Sequence, residues 1–270
     1  VSETTDIKSA FLQGSKLDRL VYVKPPKEAD MKGKLWRLEK CLYGLKDASR
    51  QWYLQVANKL KELGFDKSKY DNGVFYIIHG GKLIGLIGLH VDDFLTCGGK
   101  IFKMQVLPQL LKHFQIGKSE SGDFMYTGYK LVQNNHGIKL DQVDYVSNIN
   151  VPALDAERLK QKDQPMNQEE LSGFRGMVGT LNWTVGNTRP DLTFDMISLS
   201  TRFKGGNIED LIAAKKALVN LQRNAAYITI SNVQPVQQCE IWCFSDAAFR
   251  NLNEGIDSAG GYVILVVNTH

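Results

Sequence analysis

The spacing of apolar residues marks two kinds of element along this chain. Trp52, Val56, Leu60 and Leu63 recur at helical intervals after Asp47, an acceptable N-cap, and before Gly64, which predicts a helix. Val74 to Ile78 and Leu83 to Val91 are strand-like runs about a turn at His79-Gly80-Gly81-Lys82. Asp92-Asp93 then breaks the apolar character, and Phe94-Leu95-Thr96-Cys97 resumes it before Gly98-Gly99, which places two carboxylates at a hairpin tip. Ile101 to Phe114 reads as a helix kinked at Pro108. A hairpin follows, with Phe124 to Val132 and Ile138 to Leu140 about Asn134-Asn135-His136-Gly137. The polar stretch Asp155 to Gln164 reads as a linker. Helices are expected around Glu169 to Trp183, Leu192 to Phe203 and Ile208 to Asn224, then strands near Ala226 to Ser231, Glu240 to Phe244 and Gly261 to Val267. Strands and helices cluster instead of alternating strictly, which favours an α+β fold over a doubly wound sheet.

At 43% hydrophobic and 23% charged, the 270 residues are ordinary globular material, long enough for one large or two modest domains. The longest apolar stretches, Leu83 to Leu89 and Tyr262 to Val267, fall well short of the roughly 20 residues that span a bilayer. No basic segment followed by an apolar one opens the chain, so secretion is not indicated. The net charge of +4 is slight but uneven. Lys24, Lys27, Lys32, Lys34, Arg37, Lys40, Lys46 and Arg50 face only Glu28, Asp30, Glu39 and Asp47. Such a surplus suits a phosphate backbone, although a solvated charged face is the commoner meaning of such a run. Cys41, Cys97, Cys239 and Cys243 form no CxxC pair and have no histidine grouped near them, which gives zinc little support. Buried free thiols in a reducing compartment are expected, with Cys239 and Cys243 on one face of a strand.

Paired aspartates at a turn have an ordinary explanation, because the carboxylate bonds nearby backbone amides. Here the flanks are strongly apolar, and two adjacent charges at a core edge are costly unless compensated. A divalent cation compensates them, and hard oxygen ligands suit Mg²⁺. Asp6 supplies another carboxylate, just before Ile7-Lys8-Ser9-Ala10-Phe11. If the strand ending at Asp6 lies beside the Asp92 hairpin, three carboxylates converge, as two-metal phosphoryl transfer requires.

These residues resemble the reverse transcriptase of Ty1/copia-type retrotransposons, along nearly the whole chain. Asp6-Ile-Lys-Ser-Ala-Phe-Leu-Gln-Gly14 is similar to the family's first palm motif, followed by Val21-Tyr-Val-Lys-Pro-Pro26. Leu42-Tyr-Gly-Leu-Lys-Asp-Ala-Ser-Arg-Gln-Trp-Tyr53 resembles its most characteristic run, and His90-Val91-Asp92-Asp93 its catalytic turn. Phe124-Met-Tyr-Thr-Gly128, Val178 to Trp183 and Thr188-Arg-Pro-Asp191 are further landmarks, and Phe244 to Phe249 resembles the start of a ribonuclease H domain.

The resemblance implies a polymerase palm at 1–99, a thumb-like region at 100–163, a connection at 164–231 and a partial ribonuclease H-like domain at 232–270. It implies that Asp6 and Asp92 bind two Mg²⁺ ions, for which Mn²⁺ can substitute, with Asp93 beside them and the Ile7 carbonyl as an extra ligand. Phe11 would lie beneath the sugar and select deoxynucleotides, unless it is simply core. Tyr43, Gly44 and Lys46 would lie along nucleotide and template, with Arg50 and Gln51 at a helix start that suits phosphate. Trp52 reads as core rather than as a stacking platform. His90 replaces the usual tyrosine, and Asp47 and Ser49 stand where glutamine and proline are common; no catalytic group is lost. Asp246 corresponds to the first metal ligand of ribonuclease H.

The implied partners are an RNA and DNA primer–template, a dNTP, the remainder of a Pol polyprotein and a homo- or hetero-dimeric mate, with no membrane. The implied setting is intracellular, in a cytoplasmic virus-like particle if the chain is part of an active element. The short segment before Asp6 and the end at His270 lead us to expect a truncated piece, without fingers and without the later nuclease ligands. The competing expectation is a non-catalytic remnant, or a domesticated fragment, that binds nucleic acid or a partner.

Overall fold

The computed structural model of the chain describes residues 2–31, 33–232, 238–252 and 257–268, so Lys32 of the basic run lies outside the described residues. Two units divide at Val1–Thr127 and Gly128–His270. This boundary falls inside the segment expected as thumb-like, at the Thr127-Gly128 bend.

In the first unit, strand β1 (Ser2–Ile7) leads into the short helix α1 (Ala10–Gln13) and a two-stranded ribbon, β2 (Tyr22–Val23) and β3 (Trp36–Arg37). Helix α2 (Ala48–Glu62) precedes β4 (Asp66–Lys67), β5 (Val74–His79), β6 (Lys82–His90) and β7 (Asp93–Gly98). Helix α3 (Leu107–Leu111), β8 (Ile116–Ser121) and β9 (Asp123–Tyr126) complete the unit. One sheet runs in the order β4-β5-β6-β7-β1-β8, so the first strand inserts between two later ones. The helical stripe was legible: α2 buries Ala48, Trp52, Val56 and Leu60 against Phe75, Ile87 and Phe94 of the sheet. Each such large side chain contributes about 1.5–3 kcal/mol by leaving water. Phe102 lies across the facing pair Gly85 and Gly98 of β6 and β7. A Cβ on either glycine would come within 2.1 or 2.3 Å of its ring, so only glycine admits the ring so close to the sheet.

Four local expectations are corrected here. Asp47 precedes α2 but makes no side-chain cap; its backbone is already helical, and its carboxylate is taken by Arg19 at 2.8 Å. The helix expected over Ile101 to Phe114 is a π-helical turn, Phe102–Val106, running into α3 at Leu107, so the irregularity sits just before Pro108. The strand expected from Phe124 to Val132 is split where Thr127 takes φ +48°. The thiols are not uniformly buried: Cys41 is, but Cys97 and Cys243 are exposed and Cys239 half-buried. Cys97 alternates with the inward-facing Phe94 and Thr96, which turns it to the outer side of β7.

In the second unit, β10 (Tyr129–Asn134), β11 (Gly137–Asp141) and the later β12 (Tyr227–Ser231) lie antiparallel in the order β12-β11-β10. Helices α4 (Val143–Ser147), α5 (Gln168–Val185), α6 (Thr193–Ser200) and α7 (Ile208–Arg223) build the core, where Phe174, Met177, Val178 and Leu181 meet Ile208, Leu211, Leu218 and Leu221. Capping boxes at Asn167/Glu170 and Asn207/Asp210 start α5 and α7, and each cap contributes about 1 kcal/mol. The expected linker is instead ordered, with Arg158 bonded to Glu170 and to the Pro165 carbonyl. Arg189 of the Thr-Arg-Pro-Asp landmark is buried and grips Asp191 with two bonds and the Asn224 carbonyl with a third. Strands β13 (Cys239–Leu252) and β14 (Asp257–Asn268) form an exposed two-stranded ribbon.

Candidate active site

The sheet order of the first unit determines which carboxylates meet. Because β1 lies between β7 and β8, Asp6 stands opposite Asp93 in the β1–β7 ladder. The amide of Ile7 donates to the Asp92 carbonyl at 2.8 Å, tying the end of β1 to the turn between β6 and β7. That turn is two residues long, Val91 and Asp92, flanked by the pair His90 and Asp93. Val91 adopts φ +53°, an uncommon and strained conformation for a β-branched residue. The indole N–H of buried Trp52 donates to its carbonyl at 2.6 Å.

All three aspartates are half-buried, and they repel one another. Burial first, then the charges of Asp92 and Asp6, push the Asp93 carboxyl up, while His90 pulls it down. Burial and then Asp92 and Asp6 likewise push up the Tyr43 phenol. Tyr43 in turn packs on Phe11 with ring centroids 4.5 Å apart. Phe11 is buried, as the core reading expects, and it lies against exposed Tyr43, whose phenol feels the acidic cluster.

The structure therefore brings Asp6, Ile7, Phe11, Tyr43, His90, Asp92 and Asp93 to one end of the sheet. Gly44 and Lys46 follow Tyr43 on an exposed loop, and exposed Arg50 and half-buried Gln51 lie in the first turn of α2. Asp246 belongs to the second unit, exposed on β13 opposite Gly261.

Three contributors were not read from the sequence. Gly117 on β8 makes room for the Asp6 carboxylate, since a Cβ there would lie 2.0 Å from Oδ2; an isolated glycine within a strand is the signal that points to such an approach. Tyr126 on β9 feels Asp93, and its phenol is pushed up to about 12, chiefly by burial, so it stays a neutral donor at ordinary pH. Trp52 is core, as expected, yet its N–H also holds the turn; a buried indole requires a partner for that group.

Among the described residues, no three His, Cys, Asp or Glu side chains are gathered closely enough to form a ready metal cage. The donor set nonetheless fits a hard divalent cation: carboxylates of like charge at a half-buried edge, where burial and then the charges of Asp92 and Asp6 raise Asp93 and a cation would favour its ionised form.

The chain belongs to the reverse transcriptase (RNA-dependent DNA polymerase) family, whose model matches residues 1–166. It is similar to the retrovirus-related Pol polyprotein from transposon RE1 of Arabidopsis thaliana, 27% identical over 96% of this chain and 18% of that protein. It is also similar to a putative transposon Ty5-1 protein of Saccharomyces cerevisiae, 26% identical over 97% of this chain and 88% of its relative. The tobacco relative from transposon TNT 1-94 is 28% identical over 70% of this chain and 16% of its own length. The chain thus spans less than a fifth of the plant Pol polyproteins it matches. Among the described residues, no helix is long and apolar enough to cross a membrane.

Proposed function

We propose that this chain carries the catalytic site of RNA-directed DNA synthesis, adding a deoxynucleotide to a primer 3′-hydroxyl within a larger Pol polyprotein. The observation that carries the reading is the register of β1 and β7, which sets Asp6 against Asp93 while the Ile7 amide holds Asp92. Asp6 and Asp92, with Asp93 and the Ile7 carbonyl beside them, would hold two Mg²⁺ ions, or Mn²⁺ in their place. When bound, such a pair supplies activation of the attacking oxygen and neutralisation of the leaving phosphates. The primer hydroxyl attacks the α-phosphate of the dNTP and pyrophosphate departs.

The chain's own residues position these partners. Phe11, with the tilted ring of Tyr43 against it beside the carboxylates, would lie beneath the sugar and favour one lacking its 2′-hydroxyl. Lys46, Arg50, Gly44 and Gln51 line the approach of nucleotide and template, and His90 meets primer or template. In this reading residues 1–99 supply the palm, 100–163 a thumb-like region and 164–231 a connection. Residues 232–270, with Asp246, open a ribonuclease H-like domain, and the setting is an intracellular particle.

Primer extension on an RNA template with Mg²⁺ tests this, comparing the chain with Asp92→Asn. Extension by the parent and none by a folded variant is the expected result. Equal extension by both would refute the site. Silence from both, with salt-dependent binding of the primer–template, would favour a non-catalytic nucleic-acid-binding remnant.

A further inference from the structure

Helix α7 uses Ile208, Leu211, Ala214, Leu218 and Leu221 for the core of the second unit. Its other side carries half-buried Ile212 and Val219, which form the floor of a groove of about 460 Å³ together with Leu154 and Leu159 of the preceding ordered segment. Three cations, Lys215, Lys216 and Arg223, stand along the same groove. None of the three pairs with a carboxylate among the described residues. Neighbouring acids are already engaged: Glu157 with Lys160 at 2.7 Å, Glu170 with Arg158 at 2.7 Å, and Glu209 with Lys162 at 3.8 Å. The groove therefore combines an apolar floor with a positive rim that lacks internal neutralisation.

We propose that this groove docks an acidic amphipathic helix of a protein partner. A phosphate backbone would be satisfied by the cations alone and makes no use of Leu159 and Val219, whereas Leu154 and Ile212 also pack on the core. A helix with leucines on one stripe and glutamates beside it uses both features: the stripe fills the floor and the acids meet Lys215, Lys216 and Arg223. Charge complementarity of this kind sets orientation and speeds association, while the apolar stripe supplies most of the affinity. The inference concerns the second unit alone and does not rest on the polymerase reading.

The test is fluorescence anisotropy of the full chain with a labelled synthetic helix bearing leucines at i, i+3, i+4 and i+7 and glutamates elsewhere. A control peptide has the same composition with scattered leucines. Saturable binding of the first peptide is expected, weakened about tenfold or more by Lys215→Glu with Lys216→Glu, and comparably by Leu159→Ser. Lys215 is half-buried and Lys216 exposed, and Leu159 sits in the short 3-10 turn Arg158–Lys160 outside the buried core, so thermal melts of both variants should stay near the parent's. Equal binding of the scattered peptide would reduce the groove to a charged surface and overturn the proposal. So would full competition by an RNA–DNA hybrid lost in the same lysine variant, or no binding at all.

Discussion

The indole N–H of Trp52 is bonded to the carbonyl of Val91, at 2.6 Å, across the space between helix α2 and the aspartate turn. Trp52 is 1% exposed, so this bond anchors a strained turn residue to the rigid core of the first unit. Trp52→Phe keeps the aromatic packing and deletes the donor. We expect a stability loss of about 1–3 kcal/mol in urea unfolding. Primer extension should fall further, by about ten- to a hundredfold, because the turn carries Asp92. A variant of parental extension rate would show that the bond only packs.

Gly117→Ala tests the room given to Asp6. The new Cβ would overlap Asp6 Oδ2, the free end of a side chain, so the carboxylate moves and the strand stays paired. The expected cost in stability is under about 1 kcal/mol, with a large loss of Mg²⁺-dependent extension. Retained extension would remove Asp6 from the site.

The raised carboxyl of Asp93 predicts a pH dependence of stability with a definite sign. The folded state binds this proton more tightly than the unfolded state, so stability falls as pH rises from the ordinary aspartate range through the raised value. Asp93→Asn, melted in the presence of EDTA, should therefore be more stable than the parent at neutral pH and no more stable below the ordinary aspartate range. A variant less stable at neutral pH would contradict the cost of ionising Asp93, set first by its burial and then by the charges of Asp92 and Asp6.

Phe11→Ala opens the floor beneath Tyr43. The truncation should cost about 3 kcal/mol, as for other buried phenylalanines. The informative readout is the ratio of ribonucleotide to deoxynucleotide incorporation, which does not depend on the folded fraction. The ratio should rise, and an unchanged ratio would leave Phe11 as core alone.

In the second unit, Arg189→Lys should destabilise nearly as much as Arg189→Ala, by about 1–3 kcal/mol in thermal or urea unfolding, because Arg189 is buried while Asp191 is exposed. Lysine cannot reproduce the two parallel bonds to Asp191 and the third to the Asn224 carbonyl. By contrast, Glu39→Ala, which breaks the exposed pair with Arg37, should change stability by less than about 0.5 kcal/mol.

Local order was largely written in the chain itself. The stripe of Trp52, Val56 and Leu60 defined α2, and paired apolar runs defined the β5–β6 hairpin, because the periods of 3.6 and 2 follow from backbone geometry. The ordered set of motifs, from Asp6–Gly14 through Leu42–Tyr53 and His90–Asp93 to the later landmarks, was enough to recognise the family. Tertiary structure alone decided three further matters. It inserted β1 between β7 and β8, which sets Asp6 opposite Asp93 and leaves Gly117 as the space for its carboxylate. It gave Asp47 to Arg19 instead of to the helix it precedes. It turned Cys97 outward while enclosing Cys41. Each of these depends on strand neighbours and charge partners far apart in the chain, and residue spacing carries no record of that pairing.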